Sequence, residues 1–239
     1  MRLGLVFLAT ILAMVANTNV SHSKTCEVDV SLALYMDVSG SVSKERFDIQ
    51  RRGYAAALKS EEVIEAIKVG PTGSIEISVT QWAGPTSQET TVKWTVVSNP
   101  ESMHAFAYLV ETMERSSLSS STSITGAMDH AGRAFEDTKC FAPRLILDIS
   151  GDGSDDGESR EAISRELYNA RKALIEKEIT INGLAIYGVE VEPDIGKYYR
   201  DHVIGGVAAF VEPVTDPNNL DAFIEAFMRK LIRELIASQ

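Results

Sequence analysis

Apolar residues recur along this chain in two rhythms, strand-length runs or alternations and stripes at helical spacing. Residues 28–37, V-D-V-S-L-A-L-Y-M-D, form an apolar run of buried-strand length. Residues 43–59 read as a helix with Phe47, Tyr54 and Leu58 facing inward. Residues 75–82 alternate, with Ile75, Ile77 and Val79 on one face, and Gly84-Pro85 breaks the run. Residues 89–97 alternate again through Val92, Trp94 and Val96. A short turn between two alternating segments predicts a hairpin, so the third strand is expected to be antiparallel. Helices are predicted over 101–115 and 122–138, the second with Ile124, Met128, Ala131 and Phe135 at helical spacing. A strand over 143–149 and a helix over 158–178 follow, the helix with Ile163, Leu167, Ala170 and Leu174 on one side. Strands are then expected over 179–187 and 207–214. The last helix has Asp216 as its expected N-cap and Pro217 at its first position. Its stripe is Leu220, Phe223, Ile224, Phe227, Met228, Leu231, Ile232 and Leu235.

Strands alternating with helices predict an α/β fold, doubly wound. Its six-stranded sheet is mostly parallel, with one antiparallel edge strand and helices on both faces. Such sheets bind ligands beyond the carboxyl ends of their strands.

The first residues stand apart from this pattern. Arg2 precedes an uncharged apolar run over 3–16, and small and polar residues follow, ending in Ser21-His22-Ser23. This is the layout of a signal peptide cut near Ser23. The apolar run is shorter than the roughly 20 residues of a spanning helix. Residues 1–23 are therefore read as a leader and 24–239 as one domain, periplasmic or secreted, with no membrane span in the mature protein. The formal charge is −11, and Arg2 is the only charge in the leader. So acidic a surface repels phosphate backbones, and nucleic acid is not an expected partner. The two cysteines, Cys26 and Cys140, fit no zinc-cluster spacing, and an exported protein suggests one disulfide.

The carboxyl ends of the strands carry the candidate chemistry. Asp37-Val38-Ser39-Gly40-Ser41 supplies a carboxylate and two hydroxyls, and Gly40 permits a sharp turn between them. The same residues would also serve as an N-cap cluster for the helix that follows. The fourth strand ends in Ser150-Gly151-Asp152-Gly153, and Thr122 opens a helix after the serine run 116–121. Thr122 and Asp152 could each be a helix cap as well. Taken together, three loops at one sheet edge offer only oxygen ligands, a set suited to a hard cation such as magnesium.

D-V-S-G-S, then T-S-I-T-G-A-M and I-S-G-D-G, resemble the metal-ion-dependent adhesion site of von Willebrand factor type A and integrin I domains. Further stretches, T-I-N-G-L-A-I and Y-Y-R-D-H-V-I-G-G, resemble a secreted bacterial subfamily, domain of unknown function 1194. The resemblance covers essentially the whole of 24–239. It implies that Asp37, Ser39, Ser41, Thr122 and Asp152 hold Mg2+ (with Mn2+ or Ca2+ as alternatives), leaving one position for a partner's carboxylate. The family commonly has threonine where Gly151 stands, which suggests a looser backbone here. The implied fold makes the first and fourth strands parallel neighbours. Cys26 lies 11 residues before Asp37 and Cys140 lies 12 before Asp152. Both would then sit at the opposite sheet edge, within bridging distance.

Other motifs lead nowhere. Asp152-x-Ser154-x-Asp156-Gly157 opens like an EF-hand loop, but Ile163 stands where a bidentate Glu is required. Asp155 and Asp156 then read as solvated loop charges, with a second bound ion as the alternative for one of them. No nucleophile elbow or Walker lysine is present. Asp129 and His130 are adjacent on a helix and point apart. Residues 189–206 form an insertion at the metal-bearing edge, and Tyr198, Tyr199 and His202 are its candidate ligand-selecting rim; an ordinary surface loop is the plainer reading. The sequence thus reads as a binding module and not an enzyme. A metal-dependent envelope hydrolase, its rival, needs a general base near the metal-bound water, and only His202 or an aspartate could serve. A structural envelope protein whose metal ties loops together is the third reading.

Overall fold

The computed structural model of the chain describes residues 24, 26–156, 164–188 and 194–236. The leader expected over 1–23, the start of the helix expected at 158 and residues 189–193 lie outside them. In chain order the elements are β1 (Cys26–Glu27), β2 (Val30–Asp37), α1 (Lys44–Leu58), α2 (Glu61–Lys68), β3 (Ile75–Trp82) and β4 (Gln88–Val97). Then come α3 (Pro100–Thr112), α4 (Ile124–Ala134), β5 (Cys140–Phe141), β6 (Leu145–Gly151) and α5 (Arg165–Glu176). The chain closes with β7 (Ile179–Ile186), α6 (Ile195–Tyr198), a π-turn over Tyr199–Val203, β8 (Val211–Val214) and α7 (Leu220–Ile236).

Six strands form one sheet in the order β4-β3-β2-β6-β7-β8. All pairs are parallel except β3 with β4, so the third strand is antiparallel, as the hairpin pattern predicts, and it lies at the edge expected of the fold. β2 is buried along its whole length, as a central strand covered on both faces must be. Its side chains alternate between two cores. Leu32, Leu34 and Met36 pack with Phe47 and Tyr54 of α1, Phe106 of α3, and Phe223 and Phe227 of α7. Ala33 and Tyr35 pack on the other face with Met128 of α4, Leu167 of α5, and Tyr198 and Tyr199. Each such fully buried large side chain contributes about 1.5–3 kcal/mol.

The register sets the edge that matters. Met36 of β2 lies opposite Ser150 of β6, so Asp37 and Asp152 leave adjacent strands at one level. At the other edge β1 and β5 pair in parallel with Cys26 opposite Cys140. These cysteines form the disulfide, their Cα atoms 4.5 Å apart.

Several boundaries differ from the sequence pattern. The last helix starts at Leu220, not at Pro217. The Asn219 side chain accepts the Asp221 and Ala222 N–H groups at 3.0 and 3.2 Å. Asp216 serves a preceding turn in which its carbonyl accepts the Asn219 N–H at 3.2 Å. The last strand covers only 211–214, because Gly206 turns the chain at φ +94°. α2 is a separate helix, its start capped by Ser60. Ser123, not Thr122, caps α4, accepting the Gly126 N–H at 3.0 Å.

One polar network lies inside the apolar layer. Lys230 of α7 is fully buried, with Nζ 2.7 Å from Asp148 Oδ1 of β6, and it also donates to Glu234. Asn182 of β7 donates to Glu234 Oε1 at 2.9 Å and accepts the Phe210 N–H at 3.1 Å. Arg144 donates to the Leu235 carbonyl at 3.2 Å and to that of Glu234. These bonds fasten the end of α7 to the sheet.

Candidate metal centre at the sheet edge

Asp37 is the last residue of β2, and the chain turns immediately after it. Its Oδ1 accepts the Ser39 N–H at 2.7 Å, which curls the D-V-S-G-S segment around the carboxylate. Ser39 and Ser41 then bring their hydroxyls to 3.2 Å from each other. Ser41 donates to Asp152 Oδ1 at 2.6 Å, joining the ends of β2 and β6. Four of the five expected ligands are therefore in one hydrogen-bonded chain.

Thr122, on the third loop, is tied to the turn after β6 through Asp156, and its hydroxyl has no hydrogen bond to the other four among the described residues. Its N–H donates to Asp156 Oδ2 at 2.9 Å and its carbonyl accepts the Asp156 N–H at 3.0 Å. Its Cγ2 lies 4.0 Å from where a Cβ on Gly153 would stand. The serine loop ahead of it is held by the Gln81 side chain, which accepts the Ser116 N–H and donates to the Glu114 carbonyl, both at 2.8 Å. Gly40 donates to the Ser120 carbonyl at 2.9 Å, and a Cβ on Gly40 would collide with that same oxygen. Arg115 donates to the Val38 and Ser39 carbonyls at 2.9 and 3.0 Å.

The electrostatics favour a cation. Burial, and then the like charge of Asp152, push the Asp37 carboxyl up to about 7. The one cation paired with these carboxylates among the described residues is Arg46 of α1, with Nη1 3.3 Å from Asp152 Oδ2. Among the described residues no three His, Cys, Asp or Glu side chains cluster as a metal site. An ion at this edge would rest on two carboxylates together with hydroxyls and water. That donor set fits a hard divalent ion and does not suit a soft one.

Other expected site residues are placed differently. Asp155 is not a solvated loop charge. It is buried, and it accepts the Ile124 and Thr125 N–H groups at the start of α4. Free N–H groups at a helix start draw a carboxylate in. Tyr198 and Tyr199 are only 2% and 0% exposed. They belong to the core and not to a solvent-facing rim, because residues 194–203 fold inward over β7. His202 is half-buried, its ring 5.3 Å from that of Tyr198. Gly151 is not in a loose stretch. It pairs with Ala185, and a Cβ there would stand 2.6 Å from the Tyr199 hydroxyl. Arg115 and Gln81 carry no motif signal because they reach the edge from remote segments, and Arg46, though close in sequence, belongs to no motif.

Residues 27–239 match the family described as "Protein of unknown function (DUF1194)". No curated protein matches the chain. Among solved structures, a von Willebrand factor type A protein from Catenulispora acidiphila is 18% identical with a TM-score of 0.58, over 88% of this chain and 43% of that one. Proximal thread matrix protein 1 of the mussel byssus is 13% identical with a TM-score of 0.61, over 90% of this chain and 50% of that one. A further structure of that byssus protein, TM-score 0.54 and 12% identical over the same shares, has a zinc-occupied MIDAS motif. The von Willebrand factor domain of the type V pilus tip protein Mfa5 from Porphyromonas gingivalis has a TM-score of 0.54 at 7% identity, over 88% of this chain and 97% of that one. The chain thus spans half or less of the first two of these proteins. At these identities the likeness establishes the fold.

Proposed function

Because the chain belongs to the DUF1194 family of proteins of unknown function and has the von Willebrand factor type A fold, we propose that it is a metal-dependent adhesion module of the periplasm or cell exterior. Asp37, Ser39, Ser41, Thr122 and Asp152 hold one divalent ion, magnesium first, and a partner protein's carboxylate completes its coordination. The observation that carries this reading is the Ser39–Ser41–Asp152 chain closing on Asp37 from two adjacent strand ends. An ion bound with few carboxylates stays electrophilic and accepts an anionic ligand. The byssus protein with its zinc-occupied MIDAS motif and the pilus tip domain lend the reading support from the same fold. No helix among the described residues is long and apolar enough to cross a membrane.

The test is linkage. A ligand that binds only the folded state raises its stability by mass action. Magnesium added to metal-free protein should raise its melting temperature, and Asp37→Ala should abolish the rise. An unchanged melting curve at saturating magnesium removes the metal from the reading. A metal-dependent pull-down from a native envelope extract, with chelator as control, then seeks the partner.

A further inference from the structure

Three buried polar atoms without a hydrogen-bond partner among the described residues lie around Gly151. They are Asp37 Oδ2, Trp82 Nε1 and the Tyr199 hydroxyl. A Cβ on Gly151 would stand 3.0 Å from Asp37 Oδ2, 2.6 Å from the Tyr199 oxygen and 3.1 Å from Trp82 Cζ2. All three side chains therefore pack closely against the bare Cα of Gly151. The Tyr199 ring is also built in from below. Ile149 of β6 lies opposite Gly183 of β7, and a Cβ on Gly183 would stand 2.5 Å from Tyr199 Cδ1. Glycines on neighbouring strands thus form the trough in which this ring lies.

An orphaned buried polar atom costs about 1–3 kcal/mol. Three of them at one point call for a shared partner. A carboxylate oxygen only accepts, an indole N–H only donates, and a phenol does both. One water satisfies that set, and a buried water usually makes about three hydrogen bonds.

We infer that Tyr199 is a positioning residue for Asp37, its hydroxyl and the Trp82 indole N–H closing on Asp37 Oδ2 through one shared buried water. The inference rests on the reading of Asp37 as a metal-edge carboxylate. The water donates to Asp37 Oδ2 and accepts from Trp82 Nε1, and Tyr199 fixes it from the third side. Oδ1 is already held by Ser39, so both carboxylate oxygens become fixed. Tyr199 opens the π-turn Tyr199–Val203, which makes the orientation of the metal edge depend on how the 194–203 segment folds.

The experiment pairs a titration with a crystal structure. Tyr199→Phe keeps the ring in its trough and removes only the hydroxyl. Magnesium affinity, measured by calorimetry, should fall about 10- to 100-fold, as losses of supporting groups behind metal ligands do. The melting temperature of the metal-free variant should stay at or above that of the parent, as it would for a ring that only fills space. Trp82→Phe removes the other donor and should weaken magnesium in the same way. A high-resolution map of the metal-free parent should show a water bonded to all three atoms. The map of Tyr199→Phe should lack it and show Asp37 turned away from Ser39. Parental magnesium affinity in Tyr199→Phe, or no water at the three atoms, overturns the inference. If the parent itself binds no magnesium, the metal reading fails, and the two maps alone decide whether Tyr199 positions Asp37.

Discussion

Asp37 takes up a proton far more readily in the folded protein than in an unfolded chain, its carboxyl standing near 7 against an ordinary 3.8. The native state therefore binds the extra proton between about pH 4 and 7. The stability linked to that proton is fully present below pH 4 and is lost as pH rises through 7. Asn mimics the protonated acid, so metal-free Asp37→Asn should gain on the parent in melting temperature from pH 5 to 8. A gap that stays constant or narrows contradicts this. Magnesium bound at Asp37 as proposed would compete with the same proton, so its affinity should be higher at pH 8 than at pH 5.5 in calorimetric titrations. At this scale the proximity of the candidate residues was readable where they are local in sequence. Asp37, Ser39 and Ser41 fall within five residues at a strand end, and Asp152 ends the neighbouring strand's turn. Tyr199 and Asp155 were misplaced as surface groups, because a polar tip in a loop looks solvated until the fold brings it inward.

Among the elements, α7 shows what periodicity can and cannot reveal. Its apolar stripe correctly marks Phe223, Phe227 and Leu231 as core. Lys230 and Glu234 fall on the same face, three residues after Phe227 and Leu231, and although charged they are 0% and 1% exposed. Their partners, Asp148 and Asn182, stand on β6 and β7, and no pattern within α7 can show that pairing. Burial pushes the Asp148 carboxyl up while Lys230 draws it down. Lys230→Met removes the cation and leaves two buried carboxylates facing each other. Breaking such a pair costs about 3–5 kcal/mol, which should appear as a lower midpoint in urea with an unchanged slope. A midpoint equal to the parent's would mean that the triad adds nothing to stability. Helix starts were less readable than stripes. Asp216-Pro217 and Asn219 are both good starting signals, and only the turn before α7 decides between them.

For the molecule as a whole, the alternation of strands and helices was enough for the sheet and its antiparallel edge, since each strand carries its own rhythm. The two-residue pair β1–β5 was too short to carry one, although its cysteines were readable through their distance from the two aspartates. The Cys26–Cys140 bridge spans 114 residues, and closing so long a loop contributes about 4–5 kcal/mol in the chain-entropy account. Replacing both cysteines with serine should lower the melting temperature and leave any magnesium-induced rise intact, because the bridge sits at the pole opposite the proposed ligands. Loss of the rise would tie the two poles together. The chain carries a net charge of −11, so its field opposes an acidic partner at long range. Moderate salt screens that repulsion and spares a direct metal–oxygen bond. Partner binding should then hold or improve from low to moderate salt and vanish in chelator; binding that survives chelator would place recognition on another surface.

The strand order also sets a timetable for folding. β2 lies at the middle of the sheet, and its two neighbours begin at residues 75 and 145. An entirely apolar-flanked strand must wait for a partner more than a hundred residues downstream before its second edge is covered. Contacts of such long range are slow to form. During that wait β2 offers an uncapped edge to any other chain, which is the state most prone to aggregation. Pulse-labelling hydrogen exchange during refolding should protect the β2–β3 amides well before those shared between β2 and β6.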